Sequence, residues 1–219
     1  MTDAAASGKQ PGELGPRRAD LEGAFEREAR SRWLGRSLVW LQRCDSTNDV
    51  AKLLAAARWP SGTIVAADEQ TRGRGRKGDP WHSPAGGGLW STFLFYPQVD
   101  ASLAPRATAL MAGALIECLR AHLGIECVMK PPNDVLLGGR KLAGILAESA
   151  TVGNSRRLEF LAIGIGVNVS TRFPEGLRDI ATSLAEHVAP GAVPTVPAML
   201  AWLAAELECR WEAFDRRET

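Results

Sequence analysis

Apolar residues along this chain come in short bursts cut by Gly, Pro and charge, a pattern of strands rather than of long helices. "SLVWLQR" (37–43), "GTIVAADEQ" (62–70) and "LWSTFLFYP" (89–97) read as strands. So do "IECVMK" (125–130), "DVLL" (134–137), "RKLAGILAES" (140–149) and "RLEFLAIGIGVNV" (157–169). Helical spacing occurs in three places. "DSTNDVAKLLAAA" (45–57) reads as a helix whose first amides are within reach of Ser46, Thr47 or Asn48. Residues 105–122 set Leu110, Met111, Ala114, Leu115 and Cys118 on one face, and residues 197–217 do the same with Leu200, Leu203, Ala204, Leu207, Trp211 and Phe214. Strands in successive hairpins with few helices predict an α+β domain on a mostly antiparallel sheet. The Ala-, Gly-, Pro- and charge-rich residues 1–30 predict a flexible tail, with a short helix over 19–30, ahead of one domain at 31–219.

Composition narrows the function. With 219 residues, 45% of them hydrophobic, the chain can bury a substantial single core. Lys and Arg number 26 against 25 Asp and Glu, so no global charge draws it to nucleic acid or to an anionic membrane. Cys44, Cys118, Cys127 and Cys209 lack CxxC spacing and form no ligand pattern with His82, His122 and His187, which predicts reduced thiols and no metal site. Neither a signal peptide nor a run of about 18 apolar residues is evident, and the expected location is the cytoplasm.

Against this neutral background "EQTRGRGRKGDPWHSPAGGGLWS" (69–91) stands out. Within 72–77 four of six residues are cationic, and Gly73, Gly75 and Gly78 let the backbone approach a ligand closely, so the loop can wrap an anion. It is neither a Walker A loop nor a dinucleotide fingerprint, because "DPWHSPAGGG" replaces the helix that should follow. Read alone, it fits a solvated tip or an RNA-touching segment equally well. "MKPPNDVLLGGRKLAGILAES" (129–149) changes the picture by offering Lys130 and Lys141 at strand ends, a pair that suits a polyanionic ligand.

Together these segments resemble one family, the biotin protein ligases. "DSTNDVA", "EQTRGRGRKGDPWHSPAGG", "KPPNDVLLGGRKLAGILAES", "GIGVNV" and "DIATSL" occur in the family's order over residues 38–184. The resemblance implies a class II synthetase-like catalytic domain, a mixed and mostly antiparallel sheet packed against helices. It further implies ATP-dependent formation of biotinyl-5'-AMP with Mg2+, then transfer to a lysine on the biotin carboxyl carrier domain of a carboxylase. Joining a carboxylate to a phosphate calls for preorganised cations where charge develops.

By position, the resemblance assigns Arg74, Arg76 and Lys130 to catalysis, with Lys130 on the acyl-phosphate. It assigns Ser46, Thr47, Asn48, Gln70, Gly73, Gly75 and Gly144, besides those three, to biotin. Arg76, Trp81, Asn133, Lys141 and Asn168 fall to the nucleotide, no residue falls to a metal, and no Ser or Cys nucleophile is required.

Departures from the pattern are Pro131 where the family has Trp, Asp79 where it has Arg, and no Asn before Leu89. Relatives continue into a small C-terminal β-barrel, so the expectation is a catalytic domain without it; no helix-turn-helix is expected, hence no DNA partner, while dimerisation through the sheet is one arrangement the resemblance allows. A lipoate or octanoate ligase on the same scaffold and a non-catalytic adenylate- or nucleic-acid-binding module are the competing readings. The Arg-rich loop and the absence of an Arg-Arg-x-Ser-Gly-Gly-Gly run favour the biotin branch.

Overall fold

The computed structural model describes residues 14–218, with side chains to Phe214. Chain order is α1 (Ala19–Glu28), β1 (Leu38–Cys44), α2 (Thr47–Ala56), β2 (Thr63–Gln70), β3 (Gly88–Phe95), α3 (Ala104–Leu123), β4 (Val128–Lys130), β5 (Asp134–Leu137), β6 (Arg140–Thr151), β7 (Leu158–Asn168) and α4 (Val196–Glu218). One seven-stranded sheet runs β1-β2-β3-β7-β6-β5-β4. Every pair is antiparallel except β1 with β2. That exception departs from the expected run of hairpins, because α2 intervenes and a parallel neighbour needs such a crossover.

Each face of the sheet has its own layer. On one side α3 and α4 pack on Ile145, Ile163, Ile165 and Val167 from β6 and β7, with Phe93, Phe95 and Trp40 alongside. On the other side α2 covers only Val39, Leu41, Val65, Ala67, Leu94 and Ala162. The rest of that second face, over β6 and β7, is left to the loop after β2.

Several expectations change in detail. Residues 1–13 of the expected tail lie outside the described residues, whereas residues 14–30 are docked on the domain. Gln42 donates to Pro16 O at 2.8 Å and Trp40 N donates to Glu22 Oε1 at 2.8 Å, while Phe25 is buried. One aromatic anchor in a charged stretch carries little weight in composition, yet it holds the helix down. The strand expected over 125–130 is confined to β4, because Ile125 and Cys127 turn into the core instead of joining the sheet edge. Segment Ala101–Leu123 is, by length and composition, apolar enough to cross a membrane, although Arg106, Glu117 and Arg120 interrupt it. Its Met111, Ala114, Leu115 and Cys118 are buried, which accounts for that apolarity.

Candidate active site

The uncovered face of β6 and β7 is a trench because Gly144, Gly164 and Gly166 stand where side chains would rise. A methyl group on Gly166 would collide with Trp81 Nε1, and one on Gly164 with Asn48 Oδ1. Strand alternation produces this directly: in "AIGIGV" the isoleucines and valine turn to the α3/α4 core and the glycines to the trench.

At the closed end of the trench sit the first residues of α2. Ser46 occupies the N-cap position but makes no side-chain capping bond, so the hydroxyls here are not spent on the helix as a capping role predicts. Thr47 N and Oγ1 instead donate to Gln70 Oε1 at 2.9 and 3.1 Å, and Gln70 Nε2 donates to Ser83 Oγ at 2.9 Å. Thr92 Oγ1 lies 2.8 Å from Thr47 Oγ1 and 2.6 Å from Asn48 Oδ1. Ser46, Thr47, Asn48 and Thr92 are all buried, and Thr47, Asn48 and Thr92 are joined with Gln70 in one interior hydrogen-bond network.

The loop supplies the roof. Gly73 runs so close to Ser83 Oγ and the Trp81 carbonyl that a side chain there would meet them at 2.6 and 2.8 Å. Trp81 lies over Gly144 and Gly166, edge-on to Trp90 with ring centroids 6.4 Å apart, and its Nε1 is buried without a hydrogen-bond partner. Lys141 Nζ stands 5.1 Å from the Trp81 ring and 2.7 Å from Asp134 Oδ1. The enclosed space left beneath Trp81 is about 40 Å³. A second, larger cavity of about 150 Å³ opens on the other side of Trp81, between Lys141, Asn168, Phe173, Ile180 and Ala181.

Arg74 is the loop's anchor. Its guanidinium donates to both oxygens of Asp49 at 2.7 Å and to Glu148 Oε2 at 3.0 Å. The Asp49 bond, foremost, holds Arg74 in its charged form against partial burial. Burial pushes the Asp49 and Glu148 carboxyls up, but hydrogen bonds and the charges of Arg74 and Lys52 outweigh it and hold both below their usual range. Burial pushes the Cys44 thiol up to about 12, which makes it a poor nucleophile.

Of the residues expected at the site, Ser46, Thr47, Asn48, Gln70, Arg74, Gly75, Trp81, Asn133, Lys141 and Gly144 line the small cavity together. Gly73 flanks it, and Asn168 lines the second cavity, where its Oδ1 accepts from Thr171 Oγ1 at 3.2 Å. Arg76, in a 3-10 turn, and Lys130, on edge strand β4, line neither; Lys130 is exposed. Sequence reasoning missed Gly164 and Gly166, which the Gly/Ile alternation signals, and Asp49 and Glu148, whose role appears only when α2, the loop and β6 meet. Among the described residues no group of three or more His, Cys, Asp and Glu side chains is placed to hold a metal ion.

Comparison with known proteins places the chain in a family. A bifunctional ligase/repressor BirA from Bacillus spizizenii is 39% identical over 156 residues, covering 70% of this chain and 47% of that protein. A biotin--[acetyl-CoA-carboxylase] ligase from Paracoccus denitrificans is 40% identical over 158 residues, covering 71% and 60% respectively. The chain thus spans about half the length of the curated relatives it matches. Among solved structures, the biotin protein ligase from Aquifex aeolicus in complex with biotin and ATP superposes with a TM-score of 0.71 at 30% identity, covering 84% of this chain and 73% of that one. Residues 40–168, more than half of the sequence, match the biotin/lipoate A/B protein ligase family, and the chain belongs to that family.

Proposed function

We propose that this protein activates biotin with ATP as biotinyl-5'-AMP and passes the acyl group to a lysine of a biotin carboxyl carrier domain. The observation that carries this reading is that one cation, Lys141, lines both the trench and the second cavity. A bicyclic ligand with a polar ring at one end and a carboxylate at the other fits the trench ring-first, against Thr47, Asn48 and Gln70. Its carboxylate then reaches Lys141. An adenine ring seated between Trp81 and Asn168 brings the α-phosphate to the same ammonium group from the other side. Lys141 therefore takes the part that the resemblance gave to Lys130.

In the first step a carboxylate oxygen attacks the α-phosphorus, and the bond to the β-phosphate breaks as pyrophosphate leaves. Lys141 offsets the charge that builds on the oxygens between the two substrates. In the second step a neutral lysine amine attacks the acyl carbon, the bond to AMP breaks, and the amine proton passes to solvent. Mg2+ bound with ATP would neutralise charge on the triphosphate, and among the described residues no group of three or more His, Cys, Asp and Glu side chains is placed to hold it.

About 40 Å³ holds a water molecule or two, far less than a bicyclic vitamin, so Trp81 and its loop swing out to admit the ligand and then close over it. The loop is equipped for this. Residues 76–80 are exposed, and Trp81 Nε1 gives up no hydrogen bond on leaving. Closure keeps water from the mixed anhydride.

The test is incubation with Mg-ATP, a carrier domain and biotin, lipoate or octanoate in turn, read by intact mass. A biotin-sized adduct on the acceptor lysine is the expected result. A lipoyl or octanoyl adduct instead would move the protein to the other branch of its family, and no adduct with any acid would leave a binding module.

A further inference from the structure

The polar end of the trench is ordered by a carboxylate that does not line it. Glu148 lies on β6 beyond the trench-lining Leu146, and its Oε2 accepts from Asn48 Nδ2 at 2.6 Å and from Arg74 at 3.0 Å. Its Oε1 accepts from Lys52 Nζ at 3.2 Å. The same Asn48 nitrogen donates to Leu146 O at 3.2 Å, so both of its hydrogens are engaged away from the trench. Asn48 Oδ1 accepts from Thr92 Oγ1 and lies against Gly164 on the trench floor.

A carboxamide is nearly symmetric in shape, and only its partners decide which end carries the donor. Neither the Glu148 carboxylate nor the Leu146 carbonyl can donate, so the two together admit one orientation of Asn48 alone, with the shorter of the two bonds going to Glu148. The oxygen, which keeps a second lone pair, faces the ligand. Gln70 is fixed in a similar way, its nitrogen spent on Ser83 and its oxygen beside Thr47.

We infer that Glu148 is a specificity-positioning residue: by holding Asn48 oxygen-first it makes the trench select acids whose buried end presents N–H donors over acids that present none. A cyclic urea has such donors; a dithiolane or an alkyl chain does not. Arg74 and Lys52 keep Glu148 charged beside a buried site, so the loop's anchor also sets the pocket's hydrogen-bond polarity. This rests on the proposed reading that the trench takes biotin, and it assigns the choice between the two branches of the family to a residue outside the ligand's reach.

Equilibrium binding of biotin and of octanoate to the full chain, with the melting temperature of each variant, tests it. Wild type is expected to prefer biotin strongly. Glu148→Gln, which removes the charged acceptor and leaves Asn48 held only by the longer bond to Leu146 O, should lose about 30-fold in biotin affinity while octanoate changes less than about threefold.

If E148Q keeps the wild-type preference, or loses both acids in parallel, the inference is overturned while the proposed function stands. If wild type itself binds neither acid or prefers octanoate, the proposed function fails first and takes the inference with it. Should E148Q not fold, Glu148→Asp keeps the charge opposite Arg74 but not the reach to Asn48. Selective loss of biotin there supports the inference, and parallel loss overturns it.

Discussion

The two faces of β7 are built from one short stretch of sequence and do opposite work. Facing α3 and α4, Ile163, Ile165 and Val167 are almost wholly buried and interlock with Ile145 of β6. Facing the loop, Gly164 and Gly166 alternate with them and leave a floor low enough for Asn48 and Trp81 to lie on. The β-branched residues supply strand propensity and core packing, which offsets what two glycines in a strand cost. Stability and ligand room are thus separated by a single residue step along one strand. A binding floor carried on a fully packed sheet is also more rigid than one built from loops.

Substitutions on the two faces should separate cleanly. Ile163→Ala is expected to cost roughly 3–4 kcal/mol in urea unfolding through the cavity it leaves, while the folded fraction binds biotin as before. Weakened binding at temperatures where the fold is intact would break the comparison. Gly166→Ala puts a methyl into the Trp81 indole. It should leave the melting temperature nearly unchanged yet slow adenylate formation about 100-fold, because the roof can no longer close in register. A slowing of less than about threefold in a single-turnover assay would show that the floor has slack.

On the core side the pH dependence is specific. Glu208 of α4 is buried and accepts from the backbone amides of Arg32, Trp33 and Leu34 at 2.8–3.0 Å. Burial pushes its carboxyl up, but these bonds outweigh it and hold it below the usual glutamate range. A carboxyl whose folded value is depressed contributes stability that is fully present above the unfolded value of about 4.3 and is lost as pH falls through the lower folded one. Glu208→Gln should therefore cost about 2 kcal/mol at neutral pH and flatten the fall in stability below about pH 4. An acid-unfolding curve with the wild-type slope would count against it.

The smallest effect is expected in the loop, where Lys77 sits at φ 59 in the left-handed region. Lys77→Gly should raise stability by no more than about 1 kcal/mol, with biotin affinity unmoved. A large loss of affinity would mean that this side chain, and not only the backbone path, serves the ligand.

Much of this was legible in the chain. The strands, the helices α2, α3 and α4 and the anion-wrapping character of residues 72–77 follow from periodicity and local composition, because alternation and helical spacing are local properties. Ten of the expected site residues do converge on one cavity. What was not legible involves partners far apart in sequence. Arg74 read as a cation free to meet a phosphate, yet it is claimed by Asp49 and Glu148, 25 and 74 residues away. Lys130 read as the catalytic lysine and Lys141 as a nucleotide contact, but β4 is the sheet edge and Lys130 is exposed, whereas Lys141 lies near the start of β6 beside Trp81. The docking of α1 was hidden for the same reason, since Phe25 finds its place only against Leu34 and Ile64 in the core cluster.

The sequence by itself determined the elements, the family and the supply of glycines and cations, because each is written within a few neighbouring residues. Only the tertiary structure decided which cation lies beside Trp81 and the two cavities and which way the Asn48 amide points. Those outcomes depend on charges and hydrogen-bond partners brought together from α2, the loop and β6, and at hydrogen-bond range a partner is defined by distance in space, not along the chain.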